Sequence, residues 1–182
     1  MKREIIYFED VNEDHTLETL KIAEKRMQEA GIKKIVIAST TGQTAAKVMQ
    51  YFEGKDVTLV VVPHQNGFSS ETNRFPQDVK EQLLQKGHHV HIATMLFHTD
   101  LVYSSSIPSI IADFLYTVGN GFKVCIEIVL MAADGGYTEP GEQVIAIAGT
   151  AKNADTALLM TAADTRHLRQ LQVREILCKP YH

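Results

Sequence analysis

Short apolar runs alternate with segments of helical periodicity along most of the chain. A strand that is covered on both faces needs apolar residues at successive positions, so such runs predict buried strands. On this basis strands are predicted at residues 5–8, 32–38, 57–62, 89–94, 124–133, 144–148, 157–161 and 175–178. The run 124–133, VCIEIVLMAA, is the longest of them.

Apolar residues three and four positions apart predict helices between these runs. One such face consists of Leu20, Ala23, Met27 and Ala30, and Gly31 ends that helix. A second face follows residues 39–44 and consists of Ala45, Val48, Met49 and Phe52. Further helices are predicted at 79–84 and 107–118.

Strands that are apolar on both faces and alternate with helices predict an α/β fold, a three-layer α/β/α sandwich around a mostly parallel sheet. The last three predicted strands have little helix between them, so part of the sheet is expected to be mixed. No repeat, low-complexity tract or linker divides the chain. Residues 1–182 are therefore predicted to form one domain.

Composition narrows the class of protein. The 182 residues are 45% hydrophobic and 22% charged, which is typical of a globular protein. The net charge is −4 and the sequence contains no basic stripe, so a nucleic-acid partner is not expected. No apolar run approaches the roughly 20 residues that cross a bilayer, so no membrane partner is expected. The first residues lack a signal-peptide core. Cys125 and Cys178 lie in apolar runs without CxxC spacing, which predicts buried reduced thiols and a cytoplasmic location.

Loops that follow the predicted strands are the expected ligand positions, because open α/β sheets bind ligands outside the carboxyl ends of their strands. These loops are long and polar, at 39–44, 63–75, 95–106, 131–136 and 148–156. Two connections from a helix into the next strand, 30–34 and 86–88, are short. The candidate site is therefore predicted at one edge of the sheet.

The loop 39–44, STTGQT, has the chemistry of a phosphate site. Gly42 permits a close approach of the backbone, and the helix that begins near Gln43 offers N–H groups and a favourable dipole. The hydroxyls of Ser39, Thr41 and Thr44 can donate to phosphate oxygens. The alternative is an ordinary helix cap in which Thr41 accepts the N–H near Thr44 and nothing is bound. The loop lacks the GxxxxGK[ST] spacing of a nucleotide P-loop.

Five other polar residues at or near strand ends have competing interpretations. His64 and His98 can contact a ligand, act as an acid or base, or simply be solvated. Asp134 is either a turn former beside two glycines or a ligand contact. His89 and His91 share a strand face, but no further ligand stands at metal-binding spacing, so no metal site is predicted.

Glu127 is the least expected residue, because apolar neighbours surround it in the predicted strand 124–133. A buried carboxylate must be protonated, paired or hydrogen-bonded. A structural partner is favoured over a catalytic role, and the residue is placed below the ligand edge. Residues 119–121, GNG, are interpreted as a connection into this strand and not as a dinucleotide-binding loop.

Residues 35–63, IVIASTTGQTAAKVMQYFEGKDVTLVVVP, resemble the carboxy-terminal α/β domain of pyruvate kinases. Essentially the whole chain resembles the stand-alone proteins described as pyruvate kinase C-terminal-domain-like. The shared landmarks include HQNGF at 64–68, GFKVCIEIVLMAADGG at 121–136, NADTALL at 153–159 and EILCKP at 175–180.

The resemblance implies a phosphate-binding role for the loop, because the matching loop of some pyruvate kinases holds a phosphate of the allosteric sugar bisphosphate. It also implies flavin mononucleotide (FMN) as the ligand, since some stand-alone members look like FMN binders. The implied cofactor site consists of Ser39, Thr40, Thr41, Gly42, Gln43, Thr44, His64, Gly67, Phe68, Met131, Ala132, Asp134 and Gly149. No counterpart of the catalytic barrel is expected, hence no kinase activity. The family's subunit contacts imply a homo-oligomer.

The expected function is therefore the binding of a small phosphorylated ligand, above all FMN, with flavin-dependent redox activity as one consequence. The alternative is a non-catalytic sensor of a sugar phosphate or nucleotide. A hydrolase or transferase with His64 or His98 as its base ranks last, because the chain has no GxSxG-type nucleophile motif.

Overall fold

The computed structural model describes residues 2–68, 75–150 and 153–181. Within them, one sheet has the strand order β1-β7-β6-β5-β2-β3-β4. All neighbouring strands are parallel except β6, which is antiparallel to both β5 and β7. The predicted mostly parallel, partly mixed sheet is confirmed. Its strands are β1 (Ile6–Phe8), β2 (Lys34–Ala38), β3 (Thr58–Val62), β4 (His89–Val90), β5 (Gln143–Ala148), β6 (Thr156–Thr161) and β7 (Gln172–Pro180).

Helices cover both faces of this sheet and complete the three layers. Successive strand residues point to opposite faces, so Ile35 and Ile37 pack under one helix layer while Val36 packs under the other. The first layer contains α1 (Thr16–Ala30), α2 (Gln43–Tyr51) and α3 (Gln77–Gln85). The second contains α5 (Ile107–Tyr116) and α6 (Asn120–Asp134), preceded by the short α4 (Asp100–Tyr103).

The prediction of a strand at 124–133 was wrong, because this segment lies within the 15-residue helix α6. Its side chains are buried nearly all the way round, between the sheet and α5. A helix buried on every side has no polar face, so periodicity alone cannot distinguish it from a buried strand. The interpretation of 119–121 as a connection into a strand fails with it. Gly121 lies inside α6, where a Cβ would stand 2.2 Å from Thr156 Oγ1.

Most of the remaining elements correspond to predicted ones with shifted ends, but α4, which lies in the predicted loop 95–106, and a 3-10 helix at Thr165–Gln170 were not predicted. The strand predicted at 89–94 shortens to β4, and a 3-10 turn at Leu96–His98 follows it. Cys125 and Cys178 are buried free thiols, as predicted, and burial raises the pKa of Cys178 to about 12. In the described ranges, no helix combines the length and the apolar character needed to cross a membrane.

Candidate functional site

A cavity of about 370 Å³ opens at the carboxyl ends of β2, β3 and β5. Its walls come from the loop after β2, the loop after β3, the turn between β5 and β6, and the first turn of α6. The cavity lies at the edge of the sheet where the long loops after the strands predicted the candidate site. Helices α2 and α6 both begin beside the cavity, so the positive ends of two helix dipoles lie close to it.

Loop 39–44 forms the wall between β2 and α2. Gly42 occupies the N-cap position of α2 with a φ of 78°, in the left-handed region. A Cβ at this position would lie 2.9 Å from Pro76 Cδ, so a larger residue would have to displace the segment that leads into α3. Glycine is therefore required here both by the backbone angle and by the space.

The hydroxyl residues of this loop divide into two groups. Ser39 is buried, and its Oγ accepts the N–H of Ala45 at 3.1 Å. Ser39 thus caps α2, which is the role that the alternative interpretation gave to Thr41. Thr40, Thr41 and Thr44 line the cavity together with Ser39. The loop is therefore a capped helix start that also presents hydroxyl groups to the cavity.

Lys123 and Glu127 form a buried ion pair at the opposite wall. Their side chains are 1% and 2% exposed, and Lys123 Nζ lies 2.6 Å from Glu127 Oε2. Glu127 Oε1 accepts the N–H of Phe97 at 2.8 Å. The expected structural partner of Glu127 is confirmed, although the pair is one helical turn apart on α6 rather than on a strand. Lys123 itself lines the cavity.

His98 is the third member of this cluster, with Nε2 3.0 Å from Lys123 Nζ. An ammonium can only donate, so Nε2 must accept and the ring proton of a neutral His98 lies on Nδ1. Burial, and then the Lys123 charge, lower the pKa of His98. Its Nε2 lone pair is occupied by Lys123, so His98 cannot act as a base through that nitrogen.

An aromatic cluster forms the outer rim of the cavity. The Phe68 ring lies edge-on between two histidines, 4.7 Å from the centre of His64 and 4.9 Å from that of His98. Gly67, with a φ of 74°, makes the turn that directs Phe68 toward them. Burial is the main cause that lowers the pKa of His64, and the neighbouring His98 adds to it. A neutral, partly apolar rim results.

The turn after β5 supplies a polar wall. Gly149 is required there, since a Cβ would stand 1.8 Å from the Asn153 carbonyl oxygen. The N–H of Thr150 donates to Asp155 Oδ2 at 2.9 Å, which holds the turn against β6. Asn120, in the first turn of α6, donates to the Thr150 carbonyl at 3.4 Å. Amide and hydroxyl groups therefore face the cavity opposite loop 39–44.

Three predicted site residues lie elsewhere. Met131, Ala132 and Asp134 are at the far end of α6, with Asp134 about 16 Å along the helix from Lys123. Met131 and Ala132 are buried in the core, and Asp134 accepts the N–H of Thr165 at 2.8 Å. Their placement at the ligand edge was wrong, because it assumed that a strand ended at 133. Of the other predicted residues, Gln43 is exposed at the start of α2, and Gly42 and Gly67 shape two of the loops.

The predicted ligand loops 95–106 and 148–156 supply Met95, Thr150 and Asn153 to the cavity. The sequence did not indicate the residues that the end of α5 and the start of α6 bring to it: Tyr116, Asn120, Lys123 and Val124. The spacing of Lys123 and Glu127 was the available signal, because i and i+4 is the salt-bridge spacing of a helix and not of a strand. His89 and His91 instead contact the ring of Tyr137. Among the described residues, no three metal-binding side chains cluster.

Comparison with known proteins gives two findings. The family model described as "Pyruvate kinase, alpha/beta domain" matches residues 18–160. Among solved structures, the chain is similar to Cryptosporidium parvum pyruvate kinase in complex with ADP. The identity is 15% and the TM-score 0.39, over 78% of this chain and 22% of that one, so this chain spans about a fifth of the enzyme's length.

Proposed function

Because the chain belongs to the pyruvate kinase alpha/beta domain family, we propose that the cavity at the carboxyl edge of its sheet binds a phosphorylated ligand, with FMN as the ligand it suits best. The family model describes the alpha/beta domain alone, so no pyruvate kinase activity is proposed. The buried thiols accord with a cytoplasmic location, which belongs to the same proposal.

The observation that carries this proposal is the pairing of an anion-binding wall with a buried cation. Loop 39–44 presents hydroxyl groups at the start of α2, where backbone N–H groups and the helix dipole favour a phosphate. Across the cavity, the two hydrogen bonds of Lys123 to Glu127 and His98 use two of its three N–H donors. We assign the remaining donor to an electronegative group of the ligand.

The aromatic rim favours a flat ring over a sugar. Phe68, His64 and Tyr116 border the cavity, and a planar heterocycle can stack on such side chains. The volume of about 370 Å³ lies within the range of roughly 300–1,000 Å³ that is usual for small-molecule sites. FMN combines a phosphate, a polyol and a flat ring, which correspond to the hydroxyl loop, the polar wall and the rim. Bound FMN would supply redox chemistry, while this chain's residues bind and orient it.

The polar wall supports a second candidate. Asn120, Thr150 and Asn153 can hydrogen-bond the hydroxyl groups of a sugar, so a non-catalytic sensor of a sugar phosphate or nucleotide uses the same phosphate position. In that case the aromatic rim would only close the cavity. The two candidates differ in whether a flavin ring contributes to affinity.

Paired titrations with FMN and riboflavin test both parts of the proposal. Flavin fluorescence quenching is expected to give FMN at least a tenfold lower Kd than riboflavin, about 1.4 kcal/mol, because riboflavin lacks the phosphate. The double variant Thr41→Ala/Thr44→Ala should remove most of this preference. Thr165→Ala is the matched control and should leave the preference unchanged, because Thr165 contacts Asp134 at the far end of α6 from the cavity.

Two outcomes would overturn parts of the proposal. Equal affinity for FMN and riboflavin would remove the phosphate role of loop 39–44. No flavin binding, together with a raised Tm in sugar phosphates, would transfer the site to the sensor function.

A further inference from the structure

One permanently charged side chain lies in the cavity wall. Of the described residues that line the cavity, none has a carboxylate, and Lys123 is the one with a permanent positive charge. Burial lowers the pKa of both His64 and His98, so these two rings are neutral at pH 7. Helices α2 and α6 add the positive ends of their dipoles. The electrostatic field in the cavity therefore favours negative charge.

The counter-ion of Lys123 lies behind the lysine as seen from the cavity. Glu127 is one helical turn further along α6, and its Oε1 accepts the N–H of the buried Phe97. Lys123 belongs to the described cavity wall, whereas Glu127 does not. The ion pair is therefore a dipole whose positive end faces the cavity. Because both side chains are almost fully buried, salt and solvent screen this dipole only weakly.

The ammonium group of Lys123 lies beside the aromatic rim. Its Nζ is 5.6 Å from the centre of the Tyr116 ring and 3.0 Å from His98 Nε2. The His98 ring in turn contacts the Phe68 ring. Tyr116 and Phe68 are the side chains on which the flat ring of FMN is proposed to stack. The cation is therefore close to the proposed position of that ring.

Reduction changes the charge of a flavin ring and makes it sensitive to a nearby cation. Two electrons and one proton convert the neutral oxidised ring into a ring with one negative charge, which N1 and the adjacent carbonyl oxygen share. An ammonium group stabilises this anion more than it stabilises the neutral ring. The difference is larger at a buried position, where the effective dielectric constant is lower than in water.

We propose that Lys123 makes the site bind reduced FMN more tightly than oxidised FMN and so raises the midpoint potential of the bound flavin. This step rests on the proposed function, because it requires FMN in the cavity. Oxidised and reduced FMN differ only in the ring, so the phosphate on loop 39–44 contributes equally to both affinities. Lys123 is then the residue that distinguishes the two redox states.

Anaerobic reduction of the FMN-loaded full chain by dithionite, with a redox dye as reference, measures this potential. A mildly alkaline buffer keeps the reduced flavin anionic. The bound flavin is expected to have a midpoint potential at least about 30 mV above that of free FMN, which is a tenfold preference for the reduced form in a two-electron couple. The double variant Lys123→Met/Glu127→Gln should lose most of this gain. It removes the cation without leaving a buried carboxylate, and the net charge of the chain stays at −4.

The ion pair between Lys86 and Glu53 supplies the matched control, because it lies in the exposed connections at the opposite edge of the sheet. Its side chains are 42% and 63% exposed. Lys86→Met/Glu53→Gln makes the same two substitutions there and should leave the potential unchanged. A purely structural effect of the Lys123 variant would weaken oxidised and reduced FMN equally, so it would not move the potential either.

Three results would overturn the proposal, and each has a different consequence. A wild-type potential at or below that of free FMN would remove the role of Lys123 while FMN binding itself stands. An unchanged potential in a folded Lys123→Met/Glu127→Gln variant would assign the preference to the helix dipoles. A wild-type chain that binds no flavin would overturn this proposal together with the proposed function. The wild-type measurement needs no variant, so it decides the matter even if the double variant fails to fold.

Discussion

The ion pair between Lys123 and Glu127 allows a quantitative test of how the cavity wall is held. Both side chains are almost fully buried, at 1% and 2% exposure, with 2.6 Å between Nζ and Oε2. Removing one partner leaves the other charge buried without compensation, which costs about 3–5 kcal/mol. We expect Lys123→Met and Glu127→Gln each to lower the free energy of unfolding by an amount of that order.

The double variant Lys123→Met/Glu127→Gln should be more stable than either single variant. It removes both charges, and the amide oxygen can still accept the Phe97 N–H that Oε1 accepts at 2.8 Å. His98 loses its hydrogen bond from Lys123, so a residual loss of about 1–2 kcal/mol is expected. The loss in the double variant should therefore be several kcal/mol smaller than the sum of the two single losses.

Urea unfolding at pH 7, followed by circular dichroism, measures these losses, provided that the slope m stays constant across the variants. The exposed pair Lys47–Asp14 is the control, with 2.5 Å between Nζ and Oδ2 and side chains that are 49% and 46% exposed. Lys47→Met and Asp14→Asn should each cost no more than about 1 kcal/mol. Additive losses at Lys123 and Glu127, or single losses as small as those of the control, would refute the reasoning.

Two further predictions concern the backbone of loop 39–44 and the contact between α1 and β7. Gly42→Ala should lower the Tm more than Gly54→Ala, although both positions have a positive φ. A Cβ at Gly42 would lie 2.9 Å from Pro76 Cδ, whereas a Cβ at Gly54 would have nothing within 4 Å. Equal Tm losses would show that Pro76 moves aside freely. Arg26 donates two hydrogen bonds to Glu175, at 2.9 and 2.7 Å, and lowers the pKa of that carboxyl. This stabilisation is complete above the ordinary glutamate pKa of about 4.3 and is lost as the pH falls through the lowered pKa of the folded state. Arg26→Met should therefore reduce stability at pH 7 and have little effect at acid pH. Urea unfolding midpoints measured between pH 7 and pH 2 would show this difference. A loss in Arg26→Met that is independent of pH would instead indicate a packing effect of the side chain.

Much of the fold was predictable because most helices have one exposed and one buried side, and because the buried strands are apolar at successive positions. The buried faces of α1 and α2 were predicted from apolar residues three and four positions apart, a spacing that fits a helix and not a strand. They include Leu20 and Ala23 in α1 and Val48 and Met49 in α2. The loop at 39–44 was identifiable for a local reason. A run of hydroxyl residues and a glycine before a helix is encoded in neighbouring positions and does not depend on distant contacts.

The second half of the site was decided only by the tertiary structure. The sequence of α6 is apolar on all sides because α5 and the sheet enclose it, and that enclosure is a property of the packed protein. Once α6 is a helix, Lys123 and Glu127 share one face and Lys123 reaches the cavity, while Asp134 moves to the opposite edge. The direction of β6 is likewise set by its pairing with β5 and β7. By itself the sequence determined the local periodicities, the hydroxyl loop and the fold class. The opposing wall of the cavity required the three-dimensional packing, because its residues are distant along the chain and meet only when the layers are assembled.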